Sequence, residues 1–181
     1  TTVDNDSFET TGEAYSLFCA LPHIEGDCVF SYGDILFRRF ILDALLASTA
    51  DMVLAVDARG QGRDYHDVGR KVDLVSCSRS FSGDYLEEIE PPTVLKIGNK
   101  LSSNDVHGEW MGLARTNARG SEIIREQLSV MKKDGRLESA TLLDLFSAIL
   151  DAGHVVSALY VTGHWLDVDD ALDLAEARNF T

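Results

Sequence analysis

Two stretches of the chain put carboxylates where an apolar run ends. In CVFSYGDILF, Cys28 to Phe37, a strand-like run closes on Gly33 and Asp34. Further on, the apolar run VVSALYV, Val155 to Val161, is followed by Gly163 and then by Asp167, Asp169 and Asp170. Asp34 is open to two readings. It could be the N-cap of a following helix, a position Asp favours, or a ligand at the carboxyl end of a strand, where open parallel sheets bind their ligands. Gly33 lets the backbone turn without a Cβ clash and lets a ligand come close. In the second stretch, Asp170 and Asp173 have the spacing of a capping box for a last helix, which leaves Asp167 and Asp169 surplus to capping. Residues i and i+2 of an extended chain point to the same side, so these two carboxylates can face one point. Like charges gathered there repel unless a cation lies between them. Oxygen ligands of this kind suit Mg²⁺, which typically takes one or two carboxylates plus substrate phosphates. A solvated acidic loop is the plainer alternative.

The elements that must carry these acids read as α/β. AYSLFCAL (14–21) is apolar on helical spacing, and CVFSY (28–32) is a strand. ILFRRFILDALLAS (35–48) reads as a helix with Phe37, Phe40, Ile41 and Leu45 on one face, and MVLAVDA (52–58) as the next strand. Strand, helix, strand makes a βαβ unit, which implies parallel pairing through a right-handed crossover. KVDLVSCS (71–78) alternates as a half-exposed strand would, and TVLKIGNKLS (93–102) and EWMGLART (109–116) add strands, with Gly98 and Asn99 at a turn. SEIIREQLSVMKK (121–133) and ATLLDLFSAILDA (140–152) are helices, and DDALDLAEARNF (169–180) closes the chain as another. The expected architecture is a three-layer α/β/α sandwich, Rossmann-like, on a mixed and mainly parallel sheet. No linker or repeat divides it, so residues 1–181 are expected to form a single domain.

Composition narrows the partners. A net charge of −14 over 181 residues disfavours a nucleic-acid backbone or an anionic membrane as main partner. It leaves room for an anionic small substrate, because a bound metal reverses the local sign of charge. Three scattered cysteines without a C-x-x-C pair indicate neither a zinc site nor a disulfide framework, and a cytoplasmic location is the expectation. No G-x-S-x-G nucleophile elbow is present. The loop ARGQGRDYHDVG (58–69) has Gly60 and Gly62, but Tyr65 stands where a dinucleotide fingerprint needs its third glycine. It reads as surface loop, as does His66 between Asp64 and Asp67.

VFSYGDILF, HGEWMGLAR and GHWLDVDDALDLAEA, taken together, resemble the nucleotidyltransferases that couple a nucleoside triphosphate to a phosphorylated sugar, alcohol or phosphonate. The resemblance is strongest to the cytidylyltransferase domain associated with phosphoenolpyruvate mutase in phosphonate biosynthesis, and it runs from about Tyr15 to Phe180. It implies transfer of CMP from CTP to a small phosphonate, 2-hydroxyethylphosphonate or 2-aminoethylphosphonate in type, with release of pyrophosphate. It further implies Mg²⁺ held by Asp34 with Asp167 or Asp169, an acceptor contact at Glu109, and positive charge toward phosphate from Lys96 and Lys100. Ser16 falls where base or acceptor contacts arise. Trp110 and Trp165 are packing residues or walls of the acceptor pocket, and His107 and His164 lie near enough to support it. A mutase fused to or complexed with the chain, and a homodimer, are the implied partners.

The resemblance has one gap. The family's glycine-rich loop, which wraps the triphosphate with backbone N–H groups, has no counterpart here, so an N-terminal nucleotide-binding segment is expected to be missing from this chain. The alternatives are a sugar-1-phosphate nucleotidyltransferase and a non-catalytic binding domain.

Overall fold

A computed structural model of the chain describes residues 1–60, 72–83 and 90–180. The loop around Tyr65 and His66, and Lys71 at the head of the third expected strand, lie outside them. The elements in chain order are α1 (Glu13–Cys19), β1 (Cys28–Ser31), β2 (Ile35–Phe37), α2 (Arg39–Ala47), β3 (Met52–Asp57), β4 (Leu74–Cys77), β5 (Val94–Gly98), β6 (Gly108–Thr116), α3 (Ala118–Lys133), α4 (Leu142–Asp151), β7 (Ser157–Val161), β8 (Trp165–Asp167) and α5 (Ala171–Ala177). No helix among the described residues is long and apolar enough to cross a membrane.

The main sheet runs β5-β4-β6-β3-β7, with β1 also paired to β6. It is mixed, as expected, but its pairing differs from the expected pattern. β1 and β3 point the same way without touching, because β6 lies between them and pairs antiparallel with both, Cys28 and Met52 each standing opposite Thr116. β3 and β7 form a parallel ladder from Val53↔Ser157 to Asp57↔Val161. β4 is antiparallel to both β5 and β6. Strands β1, β3, β4 and β7 therefore share one direction, and the insertion of β6 turns most of the ladders antiparallel.

Alternation along β3 builds the three layers. Met52, Leu54 and Val56 face one core with α1, α3 and α4, while Val53 and Ala55 face a second core with Ile41 and Leu45 of α2. A strand buried on both faces reads as a near-continuous apolar run, and all six residues of β3 are buried, the last of them Asp57. β4 is likewise buried along its length rather than half exposed: Val75 and Cys77 enter the core shared with α1, α3 and α4, and Leu74 joins a smaller cluster with Val72 and Val106.

Helix starts follow local chemistry. The Asn117 side chain caps α3, accepting from Gly120 N at 3.0 Å. Thr141 and Asp144 form a capping box on α4, and Asp170 and Asp173 form the expected one on α5. The stretch from Ile35 does not start as a helix: Ile35–Phe37 is strand β2, and α2 begins only at Arg39, with Arg38 as its N-cap. Asp34 therefore caps no helix.

Candidate functional site

β2 pairs with β8 alone, antiparallel, in the register Ile35↔Asp167, Leu36↔Leu166 and Phe37↔Trp165. Beyond that ladder, Val168 N donates to Asp34 O at 2.9 Å. This two-stranded ribbon lies past the carboxyl ends of β1 and β7 and joins the turns that follow them. It sets Asp34 directly beside the end of β8. Oxygens of Asp34, Asp167 and Asp169 come within 4.8 Å of one another. Asp34 and Asp169 are exposed and Asp167 is half-buried.

These residues border a cavity of about 590 Å³. Its walls come from the main sheet, the ribbon, and the α1 and α4 side. Tyr32, Gly33 and Asp34 follow β1, Asp73 precedes β4, Gly98 and Asn99 end β5, Glu109 to Met111 open β6, and Thr141, Leu143 and Asp144 come from the start of α4. Glu13, Asp34, Asp73, Glu109, Asp144, Asp167 and Asp169 give it seven carboxylates, and no lysine or arginine among the described residues lines it. A smaller cavity of about 220 Å³ shares Trp165, Asp167 and Asp169 with it and adds Arg59 and Asp173.

The aromatic wall is built around an interruption of β6. Registers Leu54↔Ala114 and Val56↔Trp110 leave β6 with extra residues, a bulge. Gly112 there has φ +73, and a Cβ on it would stand 2.1 Å from Cδ2 of Tyr32. Glycine thus lets the Tyr32 ring lie against the strand. Trp110 closes the bulge by donating its indole N–H to Leu113 O at 3.0 Å, and its ring lies 5.3 Å from that of Tyr32. The Tyr32 hydroxyl donates to Asp73 at 3.0 Å. Burial, and then the charge and hydrogen bond of Asp73, push that hydroxyl well above the usual tyrosine range, so it remains a neutral donor.

At the carboxyl end of β3, Asp57 is 4% exposed. Its carboxylate accepts from Arg59 N at 3.0 Å, Arg59 Nη2 at 2.8 Å, Gly163 N at 3.2 Å and the indole N–H of Trp165 at 2.8 Å. Burial alone would raise its pKa. The Arg59 side-chain and backbone hydrogen bonds and the Trp165 bond outweigh burial and hold the carboxyl below its ordinary range.

Of the residues singled out in the sequence, the structure brings Asp34, Asp167, Asp169, Glu109 and Trp110 to one cavity, with Trp165 at its edge. Glu109 and Trp110 are buried in its wall. Lys96 and Lys100 are exposed and do not line it, nor does Ser16, whose Oγ accepts from Asn5 Nδ2 at 2.9 Å. His107 Nδ1 accepts from Cys77 N at 2.9 Å, His164 stacks edge-on against Phe40, and neither lines the cavity. Glu13, Asp73 and Asp144 were missed, since each comes from an element with no motif. Asp57 carries the same signature as Asp34, an acid ending an apolar run, and could have been noticed.

An octahedral Mg²⁺ with ligands at about 2.0–2.1 Å sets its oxygens roughly 2.9 Å apart in cis and roughly 4.1 Å in trans. Asp34, Asp167 and Asp169 offer an all-oxygen set with donor atoms within 4.8 Å of one another, the donor chemistry that a hard divalent ion takes.

No protein-family model and no curated protein sequence matches the chain. Solved structures do. The inositol-1-phosphate CTP transferase from T. maritima superimposes with TM-score 0.69 at 20% identity, over 97% of this chain and 63% of that one. A CTP:phosphocholine cytidylyltransferase from Streptococcus pneumoniae gives 0.61 at 13% identity, over 97% of this chain and 66% of that one. A nucleoside-diphosphate-sugar pyrophosphorylase from Vibrio cholerae gives 0.53 at 12% identity, over 91% and 64%. The chain has the nucleotidyltransferase fold, and it spans about two thirds of the length of these proteins or slightly less.

Proposed function

We propose that the protein is a Mg²⁺-dependent nucleotidyltransferase that moves CMP from CTP to a small phosphonate and releases pyrophosphate. The observation that carries this reading is the convergence of Asp34 with Asp167 and Asp169 at the carboxyl edge of the sheet, through the β2–β8 ribbon. The nucleotidyltransferase fold supports the class, and the names of two of the similar structures support CTP as donor.

An acceptor oxygen attacks the α-phosphorus of the nucleotide in line. A new P–O bond forms, and the bond from that phosphorus to the oxygen bridging to the β-phosphate breaks, sending off pyrophosphate. No covalent enzyme intermediate is required, so catalysis rests on positioning and charge neutralisation. Asp34, Asp167 and Asp169 would hold Mg²⁺, whose chemistry when bound is to neutralise phosphate oxygens. Tyr32 and Trp110 wall the acceptor cavity, and Tyr32, kept neutral, orients Asp73. Glu109 and Asp73 offer negative charge to an acceptor's ammonium group, which favours the 2-aminoethylphosphonate type over the 2-hydroxyethyl type. A phosphoenolpyruvate mutase, fused or associated, is the partner that would supply such acceptors, and a homodimer is the assembly we favour.

Pyrophosphate release by the full-length protein across a panel of nucleotides and acceptors tests the reading. CTP with an aminoalkylphosphonate should be the preferred pair. Preference for a hexose 1-phosphate would replace the acceptor assignment with the sugar-1-phosphate reading that the Vibrio cholerae likeness suggests. Absence of both turnover and Mg²⁺-dependent CTP binding in calorimetry would leave a non-catalytic binding domain.

A further inference from the structure

The corner that joins β7 to β8 bends through two successive left-handed residues, Gly163 at φ +81 and His164 at φ +64. His164 is the one non-glycine residue with positive φ among those described. A side-chain-bearing residue stays in that region only where its surroundings over-determine it. Several contacts hold the corner, among them the edge-on packing of His164 on Phe40. His164 O accepts from Arg38 N at 3.0 Å, which ties it to the start of α2. On the opposite side the Asp57 carboxylate reaches across from β3: Oδ1 accepts from Gly163 N, and Oδ2 accepts from the Trp165 indole at 2.8 Å. Arg59 satisfies both oxygens from the other direction. Its guanidinium fills the space at Gly163, where a Cβ would stand 2.7 Å from Cζ.

Asp57 lies outside the Asp34–Asp167–Asp169 cluster and lines neither cavity. Yet Trp165, which it grips, is two residues before Asp167 on a strand of only three residues. We propose that Asp57 is a positioning residue: by fixing Gly163 and the Trp165 indole it sets the placement of β8, and so the separation of Asp167 and Asp169 from Asp34. The proposal rests on the metal-site reading above. Outer partners that orient ligands typically change metal affinity by about 10–100-fold when removed.

The test uses the full-length protein, with Mn²⁺ alone as probe, read by electron paramagnetic resonance, and ¹⁵N-tryptophan NMR of the metal-free protein. Asp57→Asn keeps the shape of the side chain but turns an acceptor into a donor. It should weaken Mn²⁺ binding about tenfold or more and move the indole N–H resonance of Trp165. Trp165→Phe, which leaves the Asp57–Arg59 pair intact, should weaken Mn²⁺ binding in the same direction, and it decides the matter if Asp57→Asn does not fold. Asp34→Asn separates the two ideas. If Asp34→Asn weakens Mn²⁺ binding but Asp57→Asn or Trp165→Phe leaves it within about twofold of wild type, the positioning role is overturned and the metal site stands. If Asp34→Asn binds Mn²⁺ as wild type does, the metal site itself falls, and the positioning role falls with it.

Discussion

Replacing Gly112 by alanine separates the requirement for a backbone conformation from the requirement for space. Gly112 and Gly135 both have positive φ, +73 and +68, but they differ in surroundings. A Cβ at Gly135 meets nothing within 4 Å, whereas at Gly112 it would lie 2.1 Å from Cδ2 and 2.7 Å from Cγ of Tyr32. The Tyr32 ring cannot easily withdraw. Its backbone N–H donates to Gly112 O at 2.9 Å, its hydroxyl donates to Asp73 at 3.0 Å, and its ring rests on Trp110. Gly135→Ala should therefore cost only the left-handed conformation, about 1–2 kcal/mol. Gly112→Ala should add a lost hydrogen bond to a charged group, about 1.5–3 kcal/mol, and a lost aromatic pair, about 0.5–1.5 kcal/mol. The two variants should then differ by about 2–4.5 kcal/mol, a large part of a typical stability of about 5–15 kcal/mol. Urea unfolding followed by tryptophan fluorescence and circular dichroism, with comparable m-values, measures the difference. Equal losses within about 0.5 kcal/mol, the usual scatter for independent sites, would show that the Tyr32 ring does not require the glycine.

Two further outcomes follow from the carboxylates. Saturating Mg²⁺ at about one hundred times its Kd should stabilise the wild type by about 2.7 kcal/mol, or roughly 5–10 °C in Tm for a chain of this size. Asp34→Asn should melt no lower than wild type without metal and lose that shift and its turnover. Differential scanning calorimetry with and without Mg²⁺ checks this, and a retained shift would count against Asp34 as ligand. Asp57, whose net native pKa is depressed, contributes stability that is fully present above the ordinary carboxylate value of about 3.9 and is lost as pH falls through its lower native value. The gap in unfolding free energy between wild type and Asp57→Asn should be constant above about pH 5 and narrow below about pH 4. A gap that stays flat or widens on acidification would contradict the sign.

The sequence announced the two acidic turns because each sits at the boundary of an apolar strand, a purely local pattern. The capping box at Asp170 and Asp173 was equally local, and recognising it left Asp167 and Asp169 to be explained. β2 was not legible. Ile35, Leu36 and Phe37 are apolar in either period, and only their pairing with Trp165 to Asp167, far along the chain, makes them a strand. The same blindness to non-local pairing hid β6 between β1 and β3. Glu13, Asp73 and Asp144 reach the cavity from α1, the approach to β4 and the first turn of α4, and nothing in their neighbouring residues marks them. Lys96 and Lys100 do not line the cavity, and a lysine beside a turn looks the same in sequence whether it faces a site or water.

The ribbon that brings the acids together is too small to hold itself. Each of its strands has three residues, and an isolated two-stranded pair is marginal in water. Leu36 is exposed on it, and Leu172 and Leu174 of the adjoining α5 are exposed as well, so little apolar burial secures that side. Three acids gathered at its end repel one another and work against the pairing. What opposes them reaches in from the main body: Ile35 and Trp165 packed into the α2-side core, and the buried Asp57 accepting from Gly163 and Trp165. The geometry at Asp34, Asp167 and Asp169 is therefore set by the end of β3 and the α2 face more than by the ribbon's own hydrogen bonds. Substitutions at those anchors should move the site before they unfold the sheet.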